Sequence, residues 1–229
     1  MSVETASAAP VLDVNGLGGE LVLEGRGIAK SYRRSTWLPV GRTAVLTDAS
    51  LQLRAGEVVG LVGENGSGKS TLMRILVGDL AADAGQVDVA GTVGYCPQEP
   101  VVYPRLTCDE HFELFARAYG MTLEDQQASV RAIYASLGFE RYAHTRADQL
   151  SGGTLAKLNL GLALLPDPEV LLLDEPYAGF DWDTYLKFWE LVEQRRAAGR
   201  SVLIVSHFLV DRSRFDRVVE VRDGRTWST

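Results

Sequence analysis

Cysteine is scarce in this chain. Its 229 residues hold two, Cys96 and Cys108, spaced neither as a metal pair nor as a redox pair, so the expectation is two half-buried thiols in a reducing cytoplasm. Basic charge is also short: 23 Lys and Arg stand against 30 Asp and Glu, for a formal net charge of -7. A surface built to hold nucleic acid needs the opposite balance, and no nucleic-acid partner is expected. No apolar run is long enough to cross a bilayer, and the longest, around Leu160 to Leu173, is broken by "PDPE". The opening "MSVETASAAP" lacks the basic and apolar segments of a signal peptide. The expected location is therefore the cytoplasm, unless other subunits hold the chain to a membrane. No internal repeat is visible.

What remains is an ordinary globular composition, 46% hydrophobic and 23% charged, long enough for one substantial domain or one domain with an insert. Residues 1–20 are rich in Ala, Ser and Gly and read as a loose tail. From Leu21 to Gly63, short apolar or alternating runs bounded by glycines read as strands. "EVVGLVG" runs directly into "ENGSGKSTLMRILVG", a strand, a glycine loop and a helix. After further strand character through "GQVDVAGTVGYCPQ" the pattern turns helical. Thr107 with Glu110 forms a capping-box pattern, and Gly120 stops that helix. Thr122 opens a second helix that ends at Gly138, and a third follows "LSGGT" and stops at Pro166. "EVLLLDEP" and "RSVLIVSH" are short buried strands, with a helix from Asp183 to Ala198 between them, and "RVVEVRDGR" is a terminal strand pair. A helical block at roughly 100–165 is thus inserted into an α/β core whose fully apolar strands predict a parallel sheet.

Two segments carry chemistry that their residues alone suggest. "GENGSGKS" fits G-x-x-x-x-G-K-[ST], with Gly63, Gly68, Lys69 and Ser70 in place. Its glycines let the backbone N–H groups around Asn65, Gly66 and Ser67 turn inward on a triphosphate. The helix beginning at Lys69, Ser70 and Thr71 adds the partial positive charge of its N-terminus. Lys69 is placed to reach the β- and γ-phosphates and Ser70 to ligate Mg²⁺. In "VLLLDEP", an apolar strand ends in two acids at the carboxyl edge of the sheet, where ligands of α/β proteins gather. Asp174 there suits Mg²⁺, and Glu175 suits the general base that polarises an attacking water.

"GENGSGKST", Gln98 in "YCPQ", "LSGGT" at 150–154, "VLLLDEP", Asp181 in "AGFD" and His207 closing "IVSH" occur in one order. In that order and at those intervals the chain resembles the ABC (ATP-binding cassette) ATPases, from about Leu21 onward. The resemblance implies a P-loop NTPase (RecA-like) α/β core with an antiparallel β subdomain and an inserted α-helical subdomain. It implies an ATPase using Mg²⁺. It gives Gln98 a contact with Mg²⁺ or water, His207 a contact with the γ-phosphate and with Glu175, and Asp181 a place at the interface between two cassettes. Tyr32 resembles the aromatic that stacks on adenine, with Trp37 and the long "RRSTWLPVGRTAV" leaving the register open. Ser151, Gly152 and Gly153 would cap the ATP of a second chain, so a homodimer or heterodimer is implied.

Two departures stand out. Position 154 is Thr where the family usually has Gln, which alters hydrogen bonding near the ribose. "PYAGFDWD" keeps Asp181 but brings Tyr177 and Trp182, open either to partner packing or to a structural role. His111 and His144 read as ordinary polar positions. The segment from Gln98 to Thr107, with Pro100, Tyr103 and Pro104, resembles the groove that receives a cytoplasmic helix of a transmembrane permease. The stretch "GYCPQ…LTCDEHFELFARAYGM" leans toward exporters of drugs, lipids or polysaccharides. A nutrient-importer cassette and a non-transport regulatory ATPase remain alternatives. The location implied is peripheral, on the inner face of the cell membrane.

Overall fold

A computed structural model describes residues 19–33, 41–206 and 212–228. His207, Trp37 and nearly all of the expected N-terminal tail lie outside the described residues. Two long strands, β1 (Leu21–Arg33) and β2 (Arg42–Arg54), pair antiparallel from Leu21↔Arg54 to Arg33↔Arg42. Along β2, Ala49, Leu51 and Leu53 are buried while the residues between them are more open. That period of two is the mark of a sheet with one face on the core and one toward water. β3 (Val58–Val62), β6 (Val170–Asp174) and β7 (Ser201–Val205) behave differently, being buried at nearly every position. Strands apolar on both sides require cover on both faces, and these pair in parallel as β3–β7 and β7–β6, with β5 (Val93–Cys96) parallel beside β6.

With β4 (Ala84–Val89), β8 (Arg217–Arg222) and β9 (Arg225–Ser228) included, nine strands form one sheet in the order β4-β1-β2-β9-β8-β3-β7-β6-β5. β7 shows how it is covered. Val202 and Ile204 belong to the apolar cluster beneath the helical side, Leu203 and Val205 to the cluster shared with β1 and β2. The first helix, α1 (Lys69–Leu76), packs Leu72, Met73, Ile75 and Leu76 into the second cluster, between the antiparallel strands and the core strands.

Between β5 and β6 the chain leaves the sheet and returns, carrying α2 (Cys108–Ala118), α3 (Leu123–Leu137) and α4 (Gly152–Leu164). The Thr107–Glu110 capping box is present in both directions, Thr122 caps α3, and Gly138 ends α3 in the left-handed conformation at φ 66°. Phe112, Tyr134 and Phe139 form an edge-on aromatic cluster that joins α2 to α3. Burying an aromatic or aliphatic side chain of this size contributes about 1.5–3 kcal/mol. The last helix, α5 (Trp182–Ala197), starts one residue before the expected Asp183, because Asp181 is its cap. Both cysteines are fully buried rather than half-buried. Burial raises both thiols, Cys108 to about 11, which keeps them protonated and inert.

Candidate functional site

β3 ends at Val62 and delivers Gly63 at φ 148°, and the loop continues through Gly66 at φ 79° and Gly68 at φ 109°. No L side chain takes these angles easily, and at two of the three there is no room for one. A Cβ on Gly63 would collide with the Val221 carbonyl oxygen, and one on Gly68 would come within 2.8 Å of Leu46 Cδ2. Gly66 faces open space, so there the conformation alone requires glycine. Gly68 occupies the N-cap of α1, where no side chain caps the helix. The first-turn amides and the positive end of the helix therefore point into the loop. Lys69 is 5% exposed and donates to the carbonyl oxygens of Gly63 at 2.8 Å and Glu64 at 2.9 Å. Burial pulls its ammonium below the usual lysine range, and the fields of Glu175 and Asp174 push back upward. Ser67 is half-buried and its Oγ has no hydrogen-bond partner among the described residues, while Asn65 and Ser70 are exposed. Tyr32, at the end of β1, has its hydroxyl 3.5 Å from Thr71 Oγ1 in α1.

The two acids come from the end of β6. Asp174 is 2% exposed. Glu175 is half-buried and adopts φ 54°, the left-handed region, while its N–H still donates to the Val205 carbonyl at 3.1 Å. A non-glycine residue held there costs about 1–2 kcal/mol. Nothing in "VLLLDEP" announces that conformation. Ser70, Asp174 and Gln98 line one cavity of about 610 Å³, together with the apolar side chains of Val101, Phe115 and Tyr119. A hydroxyl, an amide oxygen and one carboxylate are hard donors that suit Mg²⁺, which binds few protein ligands and completes its shell with phosphate oxygens and water. The residues present fit that ion. Among the described residues no group of three or more His, Cys, Asp or Glu forms a conventional protein-only metal site.

"LSGGT" is built on another plan. Ser151 is the N-cap of α4 and its Oγ accepts from the Thr154 N–H at 3.3 Å. Gly152 and Gly153 lie in the first helical turn. A Cβ on Gly153 would stand 2.6 Å from the Gly179 carbonyl oxygen, whereas one on Gly152 would meet nothing within 4 Å among the described residues. The signature turn therefore rests on the loop that runs from Glu175 to Asp181. Asp181 accepts from the Thr184 N–H at 2.8 Å, and hydrogen bonding from the Thr184 side chain, then from this N–H, lowers its carboxyl below the usual range. Ser151, Gly152 and Gly153 are not among the described residues lining the Ser70–Asp174 cavity. The fold separates the two sets.

The segment after Gln98 is anchored in a way that sequence reasoning missed. Asn159 on α4 donates to the Pro97 carbonyl at 2.8 Å. His111, expected to be an ordinary polar position, is fully buried: its Nε2 accepts from the Tyr103 N–H at 2.8 Å and its Nδ1 bonds the Thr107 carbonyl at 2.7 Å. Those partners require the neutral ring with its proton on Nδ1. His144 is exposed, with its Nδ1 3.2 Å from an Asp109 carboxylate oxygen. Tyr177 packs edge-on against Tyr185 and Phe188, a core role, while Trp182 is 68% exposed and stacks on Tyr185.

The family model for ABC transporters matches residues 46–178, more than half of the chain. The chain belongs to the ABC transporter family. The cassette is 33% identical over 198 residues to a Nod factor export ATP-binding protein I of Burkholderia lata, a match that covers 81% of this chain and 65% of that protein. It is 33% identical over 188 residues to an ABC-type organic anion transporter of Mus musculus, covering 78% of this chain and 12% of that one. The cassette thus spans less than two thirds of the Burkholderia relative and a small part of the mouse one. Among solved structures it matches the ATP-binding subunit of an ABC transporter at 26% identity and TM-score 0.81, with 90% of each chain covered. It also matches the dimeric structure of a bacterial ABC transporter cassette at 24% identity and TM-score 0.80, covering 89% of this chain and 95% of that one, a likeness of fold. The expected P-loop α/β core with antiparallel strands on one side and inserted helices on the other is the fold observed.

Proposed function

We propose that this cassette is the ATP-binding and ATP-hydrolysing subunit of an ABC transporter, and that the transport it drives is export. The observation that carries the reading is the cavity lined both by Ser70, Gln98 and Asp174 and by the apolar Val101, Phe115 and Tyr119. One space thereby joins the phosphate-binding edge of the sheet to a surface suited to a hydrophobic partner. The name of one relative supports the direction, since it is an export ATP-binding protein.

In this reading residues 21–229 form one ATP-binding domain with a helical subdomain at about 100–165. Lys69, Ser70, Thr71 and the amides of Asn65, Gly66, Ser67 and Gly68 hold the triphosphate, and Tyr32 packs on the adenine. Ser70, Asp174 and Gln98 hold Mg²⁺, which, when bound, neutralises charge on the phosphates. Glu175 accepts the proton of the attacking water, and His207, beyond the end of β7, orients that water. Ser151, Gly152 and Gly153 cap the triphosphate of a second cassette, with Asp181 near the same interface. Residues 98–107, tied down through Pro97, Tyr103 and Thr107, receive a helix of a transmembrane permease. Among the described residues no helix is long and apolar enough to cross a membrane, and the proposed location is the cytoplasmic face, held there by that permease.

The test is an ATPase assay joined to a capture experiment. The chain should release phosphate from ATP in a Mg²⁺-dependent way and should co-purify with a polytopic membrane protein. Substitution of Val101 and Tyr103 by aspartate should lose the membrane protein while the chain keeps ATP affinity. A chain that hydrolyses ATP but captures only soluble partners would replace the transporter reading with that of a regulatory ATPase.

A further inference from the structure

Position 154 is where the chain departs from the usual family glutamine, and the threonine there is neither exposed nor idle. Thr154 is 7% exposed, on the inner side of the first turn of α4, while Ser151 is exposed. Their hydroxyl oxygens stand 2.9 Å apart, and the Thr154 N–H donates to the same Ser151 Oγ. A hydroxyl has one proton to give and two lone pairs with which to accept. Either oxygen could be the donor in that pair; with Thr154 nearly buried and Ser151 exposed, donation from Thr154 is the direction that leaves no buried O–H without an acceptor. In that direction Ser151 accepts from both the N–H and the O–H of one residue, and its lone pairs are engaged. Its own proton is left for the exposed side of the turn. Donation into an oxygen also strengthens that oxygen's own O–H as a donor.

We infer that Thr154 is a positioning residue that holds the Ser151 hydroxyl as an outward-facing donor to a phosphate oxygen of ATP bound by a second cassette. This inference rests on the reading that Ser151 caps that triphosphate. The chemistry is selective because phosphate oxygens only accept. A serine free to rotate presents its lone pairs part of the time, and a serine bonded as here presents its proton.

The test uses the full chain carrying Glu175→Gln, titrated with ATP and followed by analytical ultracentrifugation. Thr154→Val keeps the shape and the N–H but removes the hydroxyl. It should weaken ATP-driven dimerisation about tenfold, the loss expected of a misdirected hydrogen bond at each of two equivalent sites. ATP affinity of the dilute monomer, measured by calorimetry, should stay the same, because that triphosphate sits on the other turn. Thr154→Ser should restore dimerisation. In a Ser151→Ala background, Thr154→Val should add no further loss, since it acts only through the missing hydroxyl. The assignment is overturned by a valine variant that dimerises like its parent, by a serine variant as weak as valine, or by a valine effect that persists without Ser151. A Glu175→Gln parent that binds ATP yet stays monomeric overturns the dimer reading itself, and the inference falls with it. A dimerising parent indifferent to position 154 overturns the inference alone.

Discussion

The phosphate loop at Gly63–Ser70 and the signature turn at Leu150–Thr154 use the same materials, glycines and hydroxyls at the head of a helix, for opposite arrangements. In the first, three glycines take positive φ, the N-cap has no side chain, and a nearly buried lysine sits at the centre. In the second, the glycines are already helical and the N-cap serine closes its own helix end. The open end leaves its amides for a ligand, whereas the closed one offers little beyond an outward hydroxyl. The phosphate loop thus leaves its helix end open, while the signature turn closes its own; in the proposed reading the second is a partial cradle completed by another cassette.

Breaking each half separately sharpens that contrast. The largest effect belongs to Glu175→Gln, which should slow ATP turnover by about 10²–10⁴-fold while both turns remain able to engage. Phosphate release measures the first part, and accumulation of an ATP-bound dimer the second. Next comes Lys69→Ala, which should weaken ATP binding by about 10²-fold or more through loss of charge-assisted hydrogen bonds. Calorimetry should show Ser151→Ala unaffected in the same measurement. If both variants lost ATP binding equally, the division between the two turns would be wrong. Smaller again is a stability contrast within the signature: Gly153→Ala should cost about 1–3 kcal/mol by crowding the Gly179 carbonyl, while Gly152→Ala, facing open space, should not. Thermal unfolding of the two variants checks it.

The smallest effect is expected far from both turns. Glu169 accepts from the Thr92 hydroxyl and from its N–H at 2.6 Å, with Arg200 alongside, and these bonds depress its carboxyl from 4.5 to about 2. A carboxyl lowered in the folded state contributes stability above its unfolded value and loses it as pH falls through the folded one. The stability difference between the wild type and Thr92→Val should therefore be full above about pH 4.5 and vanish toward pH 2. Denaturant titrations across that range measure it, and ATP affinity should not change.

Much of this was legible in the chain itself. Caps, terminating glycines and strand periods involve residues close in sequence, so Thr107 with Glu110, Thr122 and Gly138 behave as their local pattern predicts. The phosphate loop is likewise contiguous. What escaped the reading depends on neighbours far along the chain. His111 reads as one polar helical residue, yet it is buried because the Tyr103 segment folds back over it. The backbone contact between Gly153 and Gly179, the left-handed Glu175 and the inward Thr154 have no sequence signature of their own.

The sequence by itself determined the buried parallel strands, the glycine loop with its lysine, and the two acids at a strand end, because each follows from local conformational limits and from the period of apolar residues. Tertiary structure decided which of these groups share a space. It brought Ser70, Gln98 and Asp174 to one cavity, kept the signature turn out of it, and turned Thr154 inward against Ser151. Those outcomes depend on the order of strands in the sheet and on the packing of α4 against the loop after Glu175, and long-range packing of that kind is not written in any one stretch of residues.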